Sequence, residues 1–319
     1  MHYKLAPDWN ITLENNDLVF FNELDKKKIK NYHNASNTLA VIKKNVFNPN
    51  CLERELSSYL IQHDIIKPHY PNNAPPEKET KQAAFWDVFC NNPNKCVQML
   101  KNKEVAIFGV GGIGSIVLEI LASVGIKKFK LIDPDVVEAS NFNRQYVYNH
   151  KDIGKPKVIA ASENMLLRHN DLKFKTYISK YPCEEFGSIV CSSDFVVSAI
   201  DNPSLRSAIF LSQDSWELGI PSAFAATGIR KGFISPIFDP KKSSYSPFES
   251  SNIDLNSQHK STPTTASSGS NNSIISSMFA EQIMFHLAEI KEEINSDHYL
   301  YLTRKAGKLS VHYRKNIVL

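Results

Sequence analysis

The most constraining feature of the sequence is a glycine-rich turn between two apolar runs. The run Val105–Phe108 is followed by GVGGIG at residues 109–114 and by a helical pattern that ends near Val124. A second run, Phe129–Ile132, ends on Asp133. A strand, a glycine turn, a helix, a strand and an acid form the unit that binds a nucleotide at the carboxyl edge of a parallel sheet. We therefore predict a Rossmann-like α/β domain with a mainly parallel sheet.

The composition argues against several classes of protein. A net charge of +4 over 319 residues is small and dispersed, so no nucleic-acid partner is indicated. No apolar run reaches the roughly 18 residues of a membrane span, and the N-terminus lacks the apolar core of a signal peptide. Five cysteines form no CxxC pair and are odd in number, which is typical of a reducing compartment. We predict a cytoplasmic protein without a membrane partner.

The first part of the chain, residues 1–68, reads as a small domain. Two short apolar runs within Trp9–Phe21, separated by a polar turn, predict a β-hairpin. A third short run, Ile29–Tyr32, predicts another strand. Helical patterns follow from about Asn34 to Ile42 and over Leu52–Gln62. Three small strands followed by two helices predict a winged-helix-like α+β domain.

A proline-rich segment at residues 69–80 is predicted to be a linker. Four prolines occur in nine positions from residue 68 to residue 76. Proline cannot continue a helix and favours an extended tether. The pattern over Lys81–Cys90 predicts a helix at the start of the second domain, which we assign to residues 81–319.

Three segments of the first domain carry a family resemblance: KLAPDWNITLENNDLVFFNE, HNASNTLAVIKKN and LERELSSYLIQHDII. They resemble the PqqD-like recognition element of enzymes that modify ribosomally made peptides. In that family a leader peptide adds a strand to the sheet edge and packs against a helix. The resemblance implies peptide-binding roles for Val19, Phe20, Phe21, Leu56 and Leu60. The alternative is an appendage that serves only packing or dimerisation.

The second domain contains polar motifs that a dehydrogenase does not need. After Asp133 come PDVVEASNFNRQ at residues 134–145, GKPK at residues 154–157 and SAIDN at residues 198–202. This array resembles the ThiF/MoeB family, the ubiquitin-activating-enzyme-like adenylating enzymes, over roughly residues 81–290. The resemblance implies ATP and Mg²⁺ as cofactors and the activation of a carboxylate as an acyl-adenylate.

The resemblance also implies a role for each polar residue of these motifs. By that resemblance Asp133 takes the ribose hydroxyls, and Asp201 binds Mg²⁺ after the strand Phe195–Ala199. The phosphates are contacted by Asn141, Arg144 and Lys157, with Gln145 in support. Cations and a metal would stabilise the negative charge that develops as a carboxylate attacks the α-phosphate. The implied catalytic residues are Arg144, Lys157 and Asp201. The implied nucleotide-binding residues are Gly109, Gly111, Gly112, Gly114, Asp133, Asn141, Arg144, Gln145 and Lys157.

Two departures from the family pattern affect the prediction. Family members take an arginine from a partner subunit just before the nucleotide domain, and so the resemblance implies a homodimer. Here residues 77–83 contain no arginine, and Lys78 or Lys81 would bind phosphate only as a point charge. The absence of CxxC pairs predicts no structural zinc. The crossover loop, residues 241–272, contains no cysteine, which argues against thioester transfer to a carrier protein.

The crossover loop is rich in serine and threonine and leaves two readings open. It is either a mobile surface loop or a lid that orders over a bound peptide. Its tail, Ser267–Ser273, precedes an apolar helix predicted over Ile274–Ile290 and could present capping groups to a substrate.

Taken together, the two domains resemble the peptide-modifying branch of the family, which includes the microcin C and pantocin A biosynthetic enzymes. We predict an ATP- and Mg²⁺-dependent enzyme that activates Glu or Asp side chains of a precursor peptide for dehydrative cyclisation, as in pantocin A biosynthesis. One alternative is adenylation of a peptide C-terminus, as in microcin C biosynthesis. Another is a non-catalytic partner that binds the leader peptide for a separate cyclase, and a dehydrogenase ranks last.

Overall fold

The computed structural model describes residues 1–69, 80–200, 205–251, 266–295 and 297–315. The chain divides into two compact units, Met1–Gln98 and Met99–Leu319. Residues 70–79, which make up most of the predicted linker, lie outside the described residues. The predicted boundaries at residues 68 and 81 therefore stay a prediction. Within the described part of the chain, none of the helices has the length and apolar character needed to cross a membrane.

The first unit contains two small antiparallel sheets. Its strands are β1 (His2–Leu5), β2 (Asn10–Glu14), β3 (Asp17–Phe21), β4 (Lys26–Ile29) and β5 (Ile66–His69). The order β2-β3-β4 forms one sheet, and β1 pairs with β5 in the other. Ile11 lies opposite Phe20 and Leu13 lies opposite Leu18, so the predicted hairpin is confirmed.

The third strand lies earlier in the chain than the sequence predicted. The run Ile29–Tyr32 suggested it, whereas β4 begins at Lys26 and ends at Ile29. Lysines can occupy this strand because they pair with acids: Lys28 lies 2.9 Å from Asp17. The strand ends because Asn31 takes a left-handed conformation with φ of 46°. The predicted position was therefore wrong by about three residues.

The helices near the N-terminus follow the apolar periodicity. They are α1 (Ala35–Ile42), α2 (Arg54–Gln62), α3 (Thr80–Phe89) and α4 (Pro93–Asn102). The predicted helices near Asn34–Ile42, Leu52–Gln62 and Lys81–Cys90 are confirmed, with ends that move by one or two residues. Helix ends are the part of an element that periodicity fixes least.

The core of the first unit contains residues that were predicted to bind peptide. Phe20, Leu56 and Leu60 are buried in one cluster between the sheet and the helices. Val19 is also fully buried, and Phe21 at the end of β3 is 39% exposed. Alternate residues of a strand point to opposite faces, so Val19 and Phe21 face away from Phe20. The apolar pattern here therefore marks a core, and any role in peptide binding stays a prediction.

The second unit is built on one sheet of mixed direction. Its strands are β6 (Glu104–Phe108), β7 (Lys128–Ile132), β8 (Lys173–Tyr177), β9 (Phe195–Ser198), β10 (Ser222–Thr227), β11 (Lys231–Ile234), β12 (Tyr299–Lys305) and β13 (Lys308–Arg314). The order is β13-β12-β11-β10-β9-β6-β7-β8. The pairs from β10 to β8 are parallel, and those from β10 to β13 are antiparallel. The predicted Rossmann-like fold with a mainly parallel sheet is confirmed.

Six helices are described around this sheet. They are α5 (Gly114–Ser123), α6 (Lys157–Arg168), α7 (Phe186–Cys191), α8 (Leu205–Glu217), α9 (Pro247–Ser251) and α10 (Gly269–Leu287). The prediction for α10 was Ile274–Ile290, but the helix starts five residues earlier. The earlier start is stabilised because Asn271 Nδ2 donates to the carbonyl of Gly228, 2.6 Å away. The helix ends at Leu287 because Glu289 has φ of 61°.

A buried lysine interrupts the apolar run of β7. Lys130 is only 1% exposed, and its Nζ donates to the carbonyl of Ile189 and to the hydroxyls of Ser192 and Ser193. Burial lowers the pKa of Lys130, and the charge of Glu104 opposes that shift. These partners satisfy the ammonium group, which an apolar surrounding would otherwise destabilise. The lysine can therefore occupy the middle of β7.

The burial of Leu60 leads to a stability prediction. We expect Leu60→Ala to lower the free energy of unfolding of the first unit by about 2–5 kcal/mol, because it leaves a cavity in a packed core. Leu24→Ala is the matched control: Leu24 is 96% exposed, so its loss should cost less than about 0.5 kcal/mol. Urea denaturation with hydrogen exchange of the β3 and α2 amides measures both. Equal losses would contradict a core role for Leu60.

Candidate active site

A cavity of about 570 Å³ lies at the carboxyl ends of the parallel strands. Its walls come from the glycine turn after β6, Asp133 after β7, Ser179–Tyr181 after β8, Ala199 after β9 and Ala225–Gly228 around the end of β10. Parallel strands end at the same edge of a sheet, so segments that are far apart in sequence meet there. Of the predicted residues, the cavity brings together Gly109, Gly111, Gly112, Asp133, Arg144, Gln145 and Lys157.

The four glycines of the turn differ in the space that surrounds them. Gly109 has φ of 90°, and a Cβ there would lie 2.6 Å from the carbonyl oxygen of Ala199. A Cβ on Gly114 would collide with the carbonyl oxygen of Gly109. These two positions are therefore needed to fold the turn. A Cβ on Gly111 would come no nearer than 3.7 Å, to Gln145, whereas one on Gly112 would lie 2.5 Å from Asn272 Oδ1.

Asp133 joins the end of β7 to the glycine turn. Its Oδ2 accepts from the amide of Val110 at 2.7 Å, and its Oδ1 accepts from the amide of Asp135 at 2.8 Å. The carboxyl is buried, and burial raises its pKa, while the charge of Lys157 opposes the rise. Each carboxylate oxygen has a further lone pair. The side chain can therefore accept from a ligand hydroxyl without giving up either amide.

Lys157 is held at the cavity wall by an ion pair. It is the first residue of α6, and its Nζ lies 2.8 Å from Asp135 Oδ2. The lysine side chain is 9% exposed, whereas that of Asp135 is 63% exposed. The backbone amide of Lys157 also donates to the carbonyl of Asp135, 2.9 Å away. These contacts fix the position of a cation beside Asp133.

Arg144 and Gln145 follow a 3₁₀ turn at Ala139–Asn141. Nη1 of Arg144 donates to the carbonyl of Ser140 at 3.1 Å and to Asn143 Oδ1 at 2.8 Å. Gln145 is 3% exposed, and its Oε1 has no hydrogen-bond partner among the described residues. A buried polar atom without a partner costs about 1–3 kcal/mol. A ligand with a donor group at this wall would remove that cost.

The predicted role of Asn141 in nucleotide binding stays a prediction. It is buried but is not among the described residues that line the cavity. Its Oδ1 accepts from the amide of Glu138, and its carbonyl accepts from the amides of Arg144 and Gln145. In this structure Asn141 therefore orients the two residues that do reach the cavity. Gly114 likewise supports the turn without lining it, and Asp201 lies outside the described residues.

Asn272 lines the cavity and was not singled out from the sequence. Its Nδ2 donates to Ser267 Oγ at 3.1 Å and to the carbonyl of Ser268 at 2.9 Å, while its Oδ1 lies 3.4 Å from Thr227 Oγ1. The tail Ser267–Ser273, which was predicted to present capping groups, includes Asn272, but no signal in the sequence distinguished this residue from its neighbours. The exposed Lys180 also lines the cavity, and no motif in the sequence marks it.

The tail of the crossover loop packs against the turn that carries Arg144. Asn143 Nδ2 donates to the carbonyl of Ser267 at 3.2 Å. Gly269 lies so close to Tyr146 that a Cβ would collide with the tyrosine hydroxyl. Residues 252–265 of the loop lie outside the described residues. The choice between a mobile loop and a lid therefore stays open.

The close approach at Gly114 leads to a second prediction. We expect Gly114→Ala to lower the free energy of unfolding by at least about 2 kcal/mol, because the new Cβ meets backbone that cannot move without opening the turn. Gly111→Ala, in the same turn but with space around it, should change stability by less than about 1 kcal/mol. Urea denaturation of both variants tests this. A tolerated alanine at residue 114 would contradict the described packing.

Curated relatives match part of the chain. The adenylyltransferase and sulfurtransferase UBA4 of Candida albicans is 38% identical over 112 residues, which is 34% of this chain and 24% of that protein. The sulfur carrier protein adenylyltransferase of Thermus thermophilus is 32% identical over 130 residues, which is 40% of this chain and 47% of that protein. The chain spans less than half the length of these relatives.

Solved structures with a similar fold cover nearly the whole chain. Escherichia coli MccB in complex with MccA-N7isoASN has a TM-score of 0.83 at 18% identity, over 99% of this chain and 98% of that one. PaaA has a TM-score of 0.73 at 19% identity, over 96% and 98%. Identity at this level shows a shared fold. The sequence model of the ThiF family matches residues 81–315, which is well over half of the chain. The protein therefore belongs to the ThiF family, as its glycine turn and polar motifs predicted.

Proposed function

We propose that this protein is an ATP- and Mg²⁺-dependent adenylating enzyme that activates a carboxylate of a ribosomally made precursor peptide. The observation that carries the proposal is the convergence of Asp133, Arg144, Lys157 and the unpartnered Gln145 oxygen around the glycine turn. Membership of the ThiF family supports it, because the curated relatives named above are adenylyltransferases. MccB, which shares the fold, has been crystallised with ATP and with MccA.

The residues at the cavity fit a nucleoside triphosphate. Gly111 has open space where a side chain would lie, so phosphate oxygens can approach the backbone of the turn there. Asp133 would accept from the ribose hydroxyls, while Lys157 and Arg144 would oppose the phosphate charge. Bound ATP supplies an adenylyl group that activates a carboxylate and a pyrophosphate group that leaves. The cations stabilise the negative charge that gathers as this exchange proceeds.

The distribution of cysteine favours a peptide nucleophile over an enzyme thiol as the acceptor of the activated acyl group. The crossover loop at residues 241–272 contains no cysteine in its sequence. None of the described residues that line the cavity is a cysteine. A thioester route would need a thiol near the activated carbon. We therefore propose that the acyl group is captured within the peptide, with net loss of water.

We propose that the first unit recognises the leader of this peptide. Strand β4 pairs with β3 on one side, and among the described strands none pairs with its other side. An unpaired edge can accept an added strand through main-chain hydrogen bonds. Because Val19, Phe20, Leu56 and Leu60 are buried, they would support this surface from within rather than contact the leader. The exposed Phe21 is the member of the predicted set that can touch it.

A homodimer is part of the proposal and rests on the family resemblance. In that arrangement a basic residue from the partner subunit would complete the phosphate site. Lys81 lies exposed on α3 and is one candidate, and Lys78 lies outside the described residues. A zinc-free protein also stays a prediction.

A second candidate reaction is stable adenylation of a peptide C-terminus. The likeness to MccB, with a TM-score of 0.83, is greater than the likeness to PaaA at 0.73. Likeness of fold at this identity does not decide between two reactions of the same activated carboxylate. The two reactions differ in what remains on the peptide.

The product separates the two candidates. We expect mass spectrometry of a precursor peptide, incubated with the enzyme, ATP and Mg²⁺, to show the loss of water from the peptide and the release of AMP. The peptide would be chosen from short acidic reading frames beside the gene. A gain of the mass of AMP would support terminal adenylation instead. If neither change occurs and no AMP or pyrophosphate is released with any such peptide, the adenylating function is wrong.

The position of Lys157 leads to a prediction for nucleotide binding. We expect Lys157→Ala to weaken ATP binding at least about tenfold, since a charge-assisted contact contributes about 1.5–3 kcal/mol. Lys155→Ala removes the same charge two residues away. Lys155 pairs with Glu163 on the surface, 2.9 Å away, so its loss should change the affinity less than about twofold. Titration calorimetry measures both, and equal effects would contradict the assigned role of Lys157.

A further inference from the structure

Two of the five cysteines lie side by side in the first unit. The Sγ atoms of Cys90 and Cys96 are 3.0 Å apart. Cys90 follows the last residue of α3, and Cys96 lies in the first turn of α4. A disulfide bond is about 2.05 Å long, so a movement of about 1 Å would bring the sulfur atoms to bonding distance. Among the described residues, no other pair of cysteines forms a sulfur–sulfur contact.

The two thiols differ in access. Cys90 is partly exposed, whereas Cys96 is 5% exposed. A reagent in solution can therefore reach Cys90 first. The chain then holds the second thiol beside the first, and this arrangement is the one that a resolving cysteine needs.

Charged groups surround Cys90 on one side. Lys67 is buried, and its Nζ donates to the backbone carbonyls of Asp87 and Cys90, the latter at 2.9 Å. Lys4 and Lys67 both pair with the carboxylate of Asp87. The hydrogen bond from Cys96, with support from the amide of Asn92 and the charge of Lys67, lowers the pKa of Cys90 to about 7, although burial opposes the shift. Donation of that hydrogen bond, together with burial, raises the pKa of Cys96.

We propose that Cys90 and Cys96 form a redox-active pair that closes into an intramolecular disulfide by exchange with a low-molecular-weight disulfide such as oxidised glutathione. The Cys90 thiolate attacks one sulfur of the reagent, which forms a mixed disulfide and releases one glutathione thiolate. Cys96 then loses its proton to water and attacks Cys90 Sγ, which releases the second. The protein loses two protons and two electrons, and one glutathione disulfide gains them to become two thiols.

The bond would tie the end of α3 to the first turn of α4. It would close a loop of seven residues, from Cys90 to Cys96, and so restrict the unfolded chain. We expect the oxidised protein to unfold at a temperature at least about 2 °C higher than the reduced protein. This inference does not depend on the proposed enzymatic reaction.

Peptide mapping of the full chain tests the proposal directly. The protein is treated with oxidised glutathione, remaining thiols are alkylated, and trypsin is added without reductant. Trypsin cleaves after Lys95, between the two cysteines, so the peptides Gln82–Lys95 and Cys96–Lys101 stay joined only if the disulfide has formed. We expect the joined pair, about 2 Da lighter than the sum of the two thiol peptides. Recovery of both peptides separately, whether alkylated or carrying glutathione, would overturn the proposal.

Two variants distinguish the attacking role of Cys90 from the resolving role of Cys96. In Cys96→Ser, Cys90 should stop at the mixed disulfide with glutathione, because the resolving thiol is gone. In Cys183→Ser, the matched control, the joined peptides should form as in the unchanged protein. The peptide map of the wild-type protein shows whether the disulfide forms, even if Cys96→Ser does not fold. The order of attack would be overturned if the wild-type protein gave the joined peptides but a folded Cys96→Ser variant carried no glutathione on Cys90.

The rate should follow the ionisation of Cys90. The thiolate is the reactive form, so the initial rate of Cys90 loss should rise about tenfold between pH 6 and pH 8 and then level off. A thiol with an ordinary pKa of about 8.5 would continue to gain rate above pH 8. Continued gain above pH 8 would show that Cys90 is not activated by its surroundings.

Discussion

The candidate site depends on the hydrogen bond from the Val110 amide to the Asp133 carboxylate. This bond joins the turn after β6 to the end of β7, and the amide of Gly109 reinforces it by donating to the carbonyl of Ile132 at 2.8 Å. The buried hydroxyl of Tyr148 donates to the carbonyl of Val110, which connects the same turn to the segment that follows Arg144 and Gln145. A rigid turn is what lets side chains from three distant segments converge on one cavity.

The walls of the same cavity contain buried polar groups whose burial lowers the stability of the folded chain. Asp133 and Lys157 are buried charges, and Gln145 holds an oxygen without a partner among the described residues. Buried charges cost free energy unless they are paired, and the pairing here is partial because Asp135 is largely exposed. Sites that bind charged ligands commonly retain such groups at a cost in stability. The proposed ATP-binding role gives these groups a partner that the chain itself does not supply.

The first unit shows how an apolar pattern can be read in two ways. Phe20, Leu56 and Leu60 have the spacing of a strand face and a helix face, and this spacing is shared by a binding groove and a core. The structure places them in a core with Leu18 and Ile42. Periodicity identifies which residues are buried, but it does not identify whether another part of the chain or a ligand covers them.

The sequence by itself determined the parts of this protein that depend on local chemistry. The hairpin of β2 and β3, the helices α1 to α3 and the strand, glycine turn and helix from β6 to α5 follow from turn residues and from apolar periodicity. The family motifs further identified four residues that line the cavity, namely Asp133, Arg144, Gln145 and Lys157. Their spacing within each segment is fixed by the chain.

Only the tertiary structure decided which distant groups meet. It placed β4 three residues before the predicted position, where ion pairs stabilise its lysines. Asn141 forms hydrogen bonds with the backbone of its own turn. Asn272, on α10, lies beside the glycine turn. The tertiary structure also set Cys90 beside Cys96. The physical reason is that periodicity and turn chemistry act over a few residues, whereas contacts between separate elements depend on how their side chains pack in three dimensions.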